Sequence, residues 1–203
     1  ADLDQPLRFS AMVPLQVYNT LQIAAERERL CRTDILIIGG GAIDAGLEAE
    51  IRQLPGKVYS TYGMTETLSH IALRRLNGPD ASTLYYPFPS VRLSLSPEHT
   101  LIIDAPLVCD TILVTNDVAE INSDGSFSIL GRKDNTINTG GIKVQAEQVE
   151  DILRPWIHVP FAITSVSDAA LGEAIVLLIE NGGYTERLEE KMKELLTKYQ
   201  LPK

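Results

Sequence analysis

The stretch that decides the fold is Asp34–Ile38 (DILII), which runs directly into three glycines, Gly39–Gly41. A short apolar run of this kind is typical of a strand buried on both faces of a parallel sheet. Asp44 predicts an N-cap for a helix over Ala45–Leu54, and a second strand follows at Lys57–Thr61. Strand, helix and strand in this order predict a βαβ unit and an α/β fold.

On both sides of this unit the hydrophobic pattern changes. Upstream, apolar residues at helical spacing predict one helix over Val13–Leu30. Downstream, short alternating segments predict a meander of antiparallel strands with a hairpin turn at Ser123–Ser126. The predicted strands of the meander are Val91–Leu95, Leu101–Ile103, Thr111–Thr115, Val118–Ile121 and Phe127–Leu130.

The last part of the chain predicts a small α+β domain. A helix over Ala146–Leu153 precedes two strands, Phe161–Val166 and Ala174–Glu180, and an amphipathic helix over Thr185–Tyr199 completes the pattern. Elements of both types in a segment of this size form a plausible folding unit. The sequence therefore predicts an α/β part, made of the βαβ unit and the meander, followed by a small α+β domain.

Composition limits the classes of partner. Of the 203 residues, 44% are hydrophobic and 22% are charged, and the net charge is −9. An acidic chain argues against nucleic acid as a partner, because proteins that bind the phosphate backbone carry basic surfaces. The longest apolar runs are far shorter than the roughly 20 residues of a membrane span, and no signal peptide opens the chain. We expect a cytoplasmic protein with small-molecule partners and no membrane contact.

Three segments could bind a nucleotide, and each also has a purely structural interpretation as a turn or polar loop. Gly39–Ala42 connects a strand to a helix N-terminus, which favours anions, but Asp44 occupies the third-glycine position of a dinucleotide fingerprint. Ser60–Thr67 supplies an aromatic ring, hydroxyls and a carboxylate directly after a strand. Thr115–Asp117 and Gly131–Asn135 supply a carboxylate and an arginine that could hold ribose or phosphate oxygens.

In their order along the chain, these segments resemble the adenylate-forming superfamily, which includes acyl-CoA synthetases, peptide-synthetase adenylation domains and luciferases. The most specific matches are Tyr62–Thr67 (YGMTET) and Gly131–Glu150 (GRKDNTINTGGIKVQAEQVE). The resemblance runs from about Met12 to the C-terminus. It implies that a carboxylic acid attacks the α-phosphate of Mg·ATP to form an acyl-adenylate, and that coenzyme A then displaces AMP.

The resemblance also implies roles for residues of the first part of the chain. Tyr62 resembles the aromatic residue that stacks on adenine. Thr65 resembles the hydroxyl that contacts the α-phosphate, and Glu66 resembles the Mg²⁺ carboxylate, so these two are the candidate catalytic residues. The loop between the adenine and the acyl pocket is matched by Gly40, Gly41 and Ala42.

Further roles are implied for the later segments. Asp117 and Arg132 resemble the ribose-binding pair. Asp134 matches the hinge about which the small domain rotates between the half-reactions. Gly140 and Gly141 match the loop that meets the pantetheine arm of coenzyme A. The implied ligands are therefore ATP, Mg²⁺, coenzyme A and a small carboxylic acid.

Within the superfamily, Ser10–Gln16 (SAMVPLQ) resembles the VPxQ segment of the o-succinylbenzoate–CoA ligases of menaquinone synthesis. Family members are several hundred residues long and have a phosphate loop upstream of this segment, which nothing in Ala1–Ala11 matches. Lys203 matches the lysine of a Pro-Lys step that precedes the catalytic lysine. We therefore expect a fragment: 1–131 would be the C-terminal part of the large AMP-binding domain, and 132–203 the small mobile domain without its last segment.

Other interpretations stay open at this point. The acid could instead be another aryl or fatty acid, and a chain that is complete at 203 residues would be a non-catalytic nucleotide-binding module. We expect the fragment by itself to be inactive. The sequence leaves the oligomeric state open, including a homo-oligomer.

Overall fold

The computed structural model describes residues 6–180 and 183–203, so part of the segment Ala1–Ala11 lies outside the described residues. The chain divides into two compact units. The first contains the described residues up to Ser94 together with Ile102–Val114 and Ile121–Ser128, and the second contains Leu95–Leu101, Thr115–Glu120 and Ile129–Lys203. The domain boundary between residues 131 and 132 stays a prediction.

The first unit contains a five-stranded sheet. In spatial order its strands are β1 (Phe9–Met12), β2 (Ile35–Ile38), β3 (Lys57–Gly63), β4 (His70–Arg75) and β5 (Tyr86–Pro87). The first three strands are parallel, and β4 and β5 are antiparallel to their neighbours. A helix, α3 (Ala45–Ile51), connects β2 to β3, so the predicted βαβ unit is confirmed. Helix α3 starts at the predicted residue, because Asp44 Oδ1 accepts hydrogen bonds from the amides of Gly46 and Leu47.

The single helix predicted upstream is wrong. The structure has two helices, α1 (Pro14–Gln22) and α2 (Ala24–Cys31), separated by Ile23 in extended conformation (φ −110°, ψ 113°). In one straight helix, Leu30 would point to roughly the opposite side from Val17. The break at Ile23 allows both side chains to be buried in one cluster, whose other members include Leu21, Leu36, Ile38, Leu47, Ile51, Val58 and Leu76.

A second sheet contains four strands that follow one another in space as they do in sequence. They are β6 (Arg92–Leu95), β7 (Thr100–Asp104), β8 (Leu113–Ile121) and β9 (Phe127–Arg132), and their residues are divided between the two units. The turn before β9 forms as predicted, with Gly125 at φ 84°. The separate strands predicted at 111–115 and 118–121 are wrong, because the chain stays extended through Asn116 and Asp117. The burial of Thr115, Val118 and Ala119 holds this polar pair in the strand.

The second unit contains β10 (Thr136–Thr139), β11 (Ile142–Gln145), α4 (Ala146–Leu153), β12 (Phe161–Asp168), β13 (Gly172–Ile179) and α5 (Glu186–Leu195). Its sheet order is β11-β10-β13-β12. The bounds of α4 are those predicted, whereas the helix predicted over Thr185–Tyr199 ends at Leu195. Helices and strands share one core, which includes Val149, Leu153, Ile163, Ile175, Leu188 and Met192. Among the described residues, no helix has the length and apolarity to cross a bilayer.

Candidate functional site

In the first unit, three loops follow the carboxyl ends of the parallel strands β1, β2 and β3. Open α/β sheets bind their ligands at this edge. The first two loops are joined at their base, because the amide of Gly39 donates to the carbonyl oxygen of Met12 at 3.1 Å. Six predicted site residues belong to this edge: Gly40, Gly41, Ala42, Tyr62, Thr65 and Glu66.

The glycine loop after β2 lies against its neighbours with no room for side chains at its base. A Cβ at Gly39 would overlap the hydroxyl of Thr61 on β3. Gly40 has a φ of 81°, and a Cβ there would lie 3.4 Å from the side chain of Val13. Gly40, Gly41 and Ala42 are all exposed, so their backbone is accessible to a ligand. A side chain at Gly39 would thus displace the Thr61 hydroxyl, and the backbone conformation at Gly40 favours glycine.

The loop after β3 is held by a threonine that the sequence analysis did not single out. The pairing with β4 shifts register between Tyr62 and Gly63, and a Cβ at Gly63 would overlap the carbonyl oxygen of Ser69. Thr67 is fully buried; its hydroxyl accepts from the amide of Met64 at 3.0 Å and donates to the carbonyl oxygen of Ser69 at 2.7 Å. The only sequence signal for this role was a second hydroxyl residue in the motif.

The two candidate catalytic residues stand on the short 3-10 helix that Thr67 closes. Thr65 and Glu66 are exposed, and Leu68 follows with a φ of 58° and an exposed fraction of 81%. The polar groups that a ligand would contact are therefore presented on the surface, while the group that holds the backbone is buried.

Tyr62 belongs to a cluster of three aromatic rings. Its ring centroid is 5.9 Å from that of Tyr85 and 5.3 Å from that of Phe127, which it meets nearly at right angles. The hydroxyl groups of Tyr85 and Ser60 lie 2.8 Å apart. Edge-to-face contacts of this kind fix the tilt of a ring. Sequence analysis found Tyr62 but not Tyr85 or Phe127, which are far from it along the chain.

In the second unit, the predicted ribose pair is in contact. The guanidinium Nη1 of Arg132 lies 3.3 Å from Oδ1 of Asp117, and its Nη2 lies 3.4 Å from Oδ2 of Asp134. Asn116 donates to the same Asp134 oxygen at 3.4 Å. The Asp117 side chain is 16% exposed and that of Arg132 is 54% exposed. The arginine thus lies between two carboxylates, one held in β8 and one on the surface.

A glutamate that the sequence analysis named only as part of a motif contacts this turn. Glu147 Oε1 on α4 accepts from Nδ2 of Asn135 at 2.6 Å and from the amide of Arg132 at 3.3 Å. Its Oε2 is buried without a hydrogen-bond partner among the described residues. A Cβ at Gly131 would lie 2.5 Å from that atom.

A second ion pair lies on the same turn. Lys133 Nζ is 2.6 Å from Oε2 of Glu98. The hydrogen bond from Lys133 and its positive charge hold the pKa of the Glu98 carboxyl below its ordinary value. Both side chains are about half exposed, so the pair is a surface contact.

Gly140 and Gly141 form the two-residue turn between β10 and β11. Both have positive φ, 59° and 81°, as the commonest hairpin turn requires. The amide of Gly140 donates to the carbonyl oxygen of Leu171 at 2.8 Å, and the pair is otherwise exposed. This hairpin was not predicted from the sequence.

Comparisons with known proteins extend this picture. No family model matches the chain. Among curated proteins, the chain is similar to a 2-succinylbenzoate–CoA ligase of Lactococcus lactis, with 25% identity over 185 residues. The match covers 83% of this chain and 41% of that ligase, so the chain spans less than half the length of this relative.

Two solved structures show the same architecture. An acyl-CoA synthetase (AMP-forming)/AMP-acid ligase II-like protein from Dyadobacter fermentans matches with a TM-score of 0.65 and 34% identity, over 100% of this chain and 60% of that one. The o-succinylbenzoate coenzyme A synthetase of Bacillus subtilis, solved with ATP and magnesium, matches with a TM-score of 0.71. This second match covers 96% of this chain and 46% of that one, and its identity is 19%, so it shows similarity of fold alone. The predicted resemblance and the mixed α/β fold class are confirmed: the chain is similar in sequence and in fold to AMP-forming acid–CoA ligases of the adenylate-forming superfamily.

Proposed function

We propose that this chain forms the nucleotide-handling part and the small C-terminal part of an AMP-forming acid–CoA ligase. The acid's carboxylate attacks the α-phosphorus of ATP and pyrophosphate leaves; the thiol of coenzyme A then attacks the acyl carbon, and AMP leaves as the thioester forms. The observation that carries the proposal is the contact between Asp117 and Arg132 at 3.3 Å across 15 residues. These are the two positions that the motifs assign to ribose.

The chemistry of this pair suits a sugar. A carboxylate accepts hydrogen bonds from both ribose hydroxyls, and a guanidinium donates to sugar or phosphate oxygens. Asp117 is mostly buried in a strand, so its acceptors are fixed, whereas the half-exposed Arg132 side chain is able to turn toward a ligand. Charge-assisted bonds of this type contribute about 1.5–3 kcal/mol each.

The edge of the first unit carries other residues with proposed nucleotide-binding roles. In this proposal Tyr62 stacks on adenine, the exposed backbone of Gly40, Gly41 and Ala42 borders the adenine and the acyl group, and Thr65 donates to the α-phosphate. Adenylyl transfer depends mainly on positioning and on electrostatic stabilisation of the developing charge. Residues on loops with a buried anchor such as Thr67 meet the first requirement.

Glu66 is the proposed magnesium carboxylate. Within residues 6–180 and 183–203, no group of three or more histidine, cysteine, aspartate or glutamate side chains could hold a metal. A single exposed carboxylate still fits Mg²⁺, because this ion keeps several waters and takes its other ligands from substrate phosphates. Bound there, Mg²⁺ would neutralise phosphate charge.

The proposed second half-reaction uses the C-terminal unit. Asp134 is the proposed hinge, and its exposure in a short turn between β9 and β10 suits a residue that must change φ and ψ. Gly140 and Gly141 would meet the pantetheine arm of coenzyme A, and their lack of side chains leaves the backbone open to it.

The proposed acid is o-succinylbenzoate, which would place the protein in menaquinone synthesis in the cytoplasm. Two observations support this substrate: the Ser10–Gln16 segment and the similarity to a 2-succinylbenzoate–CoA ligase. The test is pyrophosphate release by the full-length gene product with ATP, coenzyme A and o-succinylbenzoate, compared with benzoates and fatty acids. Release with another acid alone would reassign the substrate.

The 203-residue chain itself offers a separate test. We expect it to bind AMP weakly, because aromatic stacking contributes only about 1–3 kcal/mol per base, and to catalyse no ATP–pyrophosphate exchange. Calorimetry with AMP and an exchange assay on the same sample check both. AMP binding without activity in the full-length gene product would favour a non-catalytic nucleotide-binding module. Absence of AMP binding, with Asp117→Asn indistinguishable from the wild type, would remove the main support for the proposal.

A further inference from the structure

We infer that Glu147 is a positioning residue: it fixes the turn from which Arg132 reaches Asp117, and so sets how strongly the site distinguishes ribose from a sugar without hydroxyls. The inference rests on the proposed function of the Asp117–Arg132 pair. It concerns a residue that does not itself contact the sugar and acts only through Arg132.

The first support is that one carboxylate accepts hydrogen bonds from both ends of a short turn. Glu147 Oε1 accepts from the peptide amide of Arg132 at 3.3 Å and from the side-chain amide of Asn135 at 2.6 Å. These two donors flank Lys133 and Asp134, which together with Asn135 form the short 3-10 helix between β9 and β10. Glu147 comes from the first turn of α4, whose side chains Val149 and Leu153 are fully buried. The turn is therefore tied to a rigid element of the same unit.

The second support is steric. Gly131 has a φ of 153°, a conformation that favours glycine, and a Cβ there would lie 2.5 Å from Glu147 Oε2 and 3.0 Å from Oε1 of Gln145. The carboxylate thus occupies the space that a side chain at residue 131 would fill. Oε2 is buried there without a hydrogen-bond partner among the described residues, so both hydrogen bonds from the carboxylate to the turn are made by Oε1.

The third support is that the direct contacts of Arg132 are too weak to hold it. Its guanidinium is 54% exposed, and its distances to Asp117 and Asp134 are 3.3 and 3.4 Å. Exposed ion pairs of this length contribute little, because water screens them and long side chains lose entropy. With two competing carboxylates, the choice between them depends on where the backbone of Arg132 lies, and Glu147 helps to set that position through its hydrogen bonds to the Arg132 amide and to Asn135.

The test measures discrimination rather than affinity alone. The dissociation constants of AMP and of 2′,3′-dideoxy-AMP are measured by calorimetry on the 203-residue chain. In the wild type we expect AMP to bind about tenfold more tightly, the effect of about one charge-assisted hydrogen bond. In Glu147→Ala we expect this ratio to fall about threefold, because Arg132 no longer presents its donors while Asp117 keeps its acceptors, and the dideoxy compound should bind as in the wild type.

Three variants make the result specific. Glu147→Gln keeps the Oε1 acceptor and should restore most of the ratio. Asn135→Ala removes the shorter of the two hydrogen bonds at an exposed position, and should lower the ratio even if Glu147→Ala does not fold. Asp151→Ala removes a carboxylate from the same helix, 76% exposed and paired with Arg154, and should leave the ratio unchanged.

Two results would overturn the inference. If Glu147→Ala and Asn135→Ala weaken both compounds equally and keep the ratio, Glu147 has a structural role only. If the wild type binds both compounds equally, Asp117 and Arg132 do not read the sugar; the proposed function then loses its main support, and the inference fails with it. The wild-type measurement distinguishes the two failures: in the first, the wild type still binds AMP more tightly than the dideoxy compound, and in the second it does not.

Discussion

The Tyr62–Thr67 loop and the Gly131–Asn135 turn each carry residues with a proposed nucleotide-binding role, and they are held in opposite ways. The first is closed by its own neighbours: the Thr67 hydroxyl bonds to Met64 and Ser69 within five residues. The second is held by residues far along the chain, since both Asp117 and Glu147 lie 15 residues from Arg132. Substitutions that disturb the buried local anchor of a loop should reduce folding stability as well as nucleotide binding. Substitutions in an exposed turn held by long-range contacts should reduce nucleotide binding with little effect on folding stability.

The largest effect is expected for Gly63→Ala. The new Cβ would overlap the carbonyl oxygen of Ser69, and backbone cannot move aside as a side chain can. We expect a loss of about 3 kcal/mol in the free energy of unfolding, at the upper end for overpacking. Urea denaturation measures it. Gly41→Ala is the matched control, because only the Pro14 ring lies near its Cβ position, at 3.8 Å; equal losses would contradict the steric account.

Thr67→Val should cost about 2 kcal/mol of folding stability. The substitution keeps the shape of the fully buried side chain but leaves the partly buried Met64 amide without its acceptor. Denaturation is again the measurement, with Thr65→Val as the control on the same 3-10 helix. Because Thr65 is exposed, that variant should unfold like the wild type and lose only nucleotide affinity. A stable Thr67→Val would show that the loop has another anchor.

Asp117→Asn should separate binding from stability in the second region. The Asp117–Arg132 contact is 3.3 Å long and the arginine is half exposed, so its loss should change the free energy of unfolding by less than about 1 kcal/mol. AMP affinity should nevertheless fall about tenfold, because a fixed charged acceptor for the ribose hydroxyls is lost. Calorimetry and denaturation on the same sample test both statements. A large loss of stability would show that, in both regions, substitutions change nucleotide binding and folding stability together.

The smallest effect concerns the Glu98–Lys133 pair beside the turn. Lys133 lowers the pKa of Glu98, so the pair's contribution is present at neutral pH and is lost as the pH falls below the ordinary value of 4.5 and through the lowered pKa. NMR titration should show Glu98 titrating below 4.5 in the wild type and close to it in Lys133→Met. AMP binding at neutral pH should be unchanged in this variant. An unaltered pKa would mean that the two side chains do not pair in solution.

What the sequence predicted correctly depends on neighbours along the chain. The strand at Ile35–Ile38, the cap at Asp44 and the bounds of α4 follow from local apolar pattern and hydrogen-bonding capacity. The motif segments also name Asp117 and Arg132 as a ribose-binding pair; the two side chains are in contact, and their role stays a prediction. These features need no knowledge of the tertiary structure.

What the sequence did not predict depends on packing between distant segments. The break at Ile23 exists because Leu30 and Val17 share one core, and the continuity of β8 exists because Thr115 and Val118 are buried on either side of a polar pair. Tyr85, Phe127 and the Glu147 contacts were missed for the same reason. Their partners are remote in sequence, and no local pattern marks them.

In the turn between β10 and β11, the chirality of the residue, rather than the size of its side chain, limits which residue can replace Gly141. Gly141 has a φ of 81° and no atom within 4 Å of where its Cβ would lie. An L-residue there is strained despite the open space, whereas a D-residue adopts this φ without strain and restricts the unfolded chain. Semisynthetic protein with D-alanine at this position should therefore keep the hairpin and be slightly more stable than the natural chain.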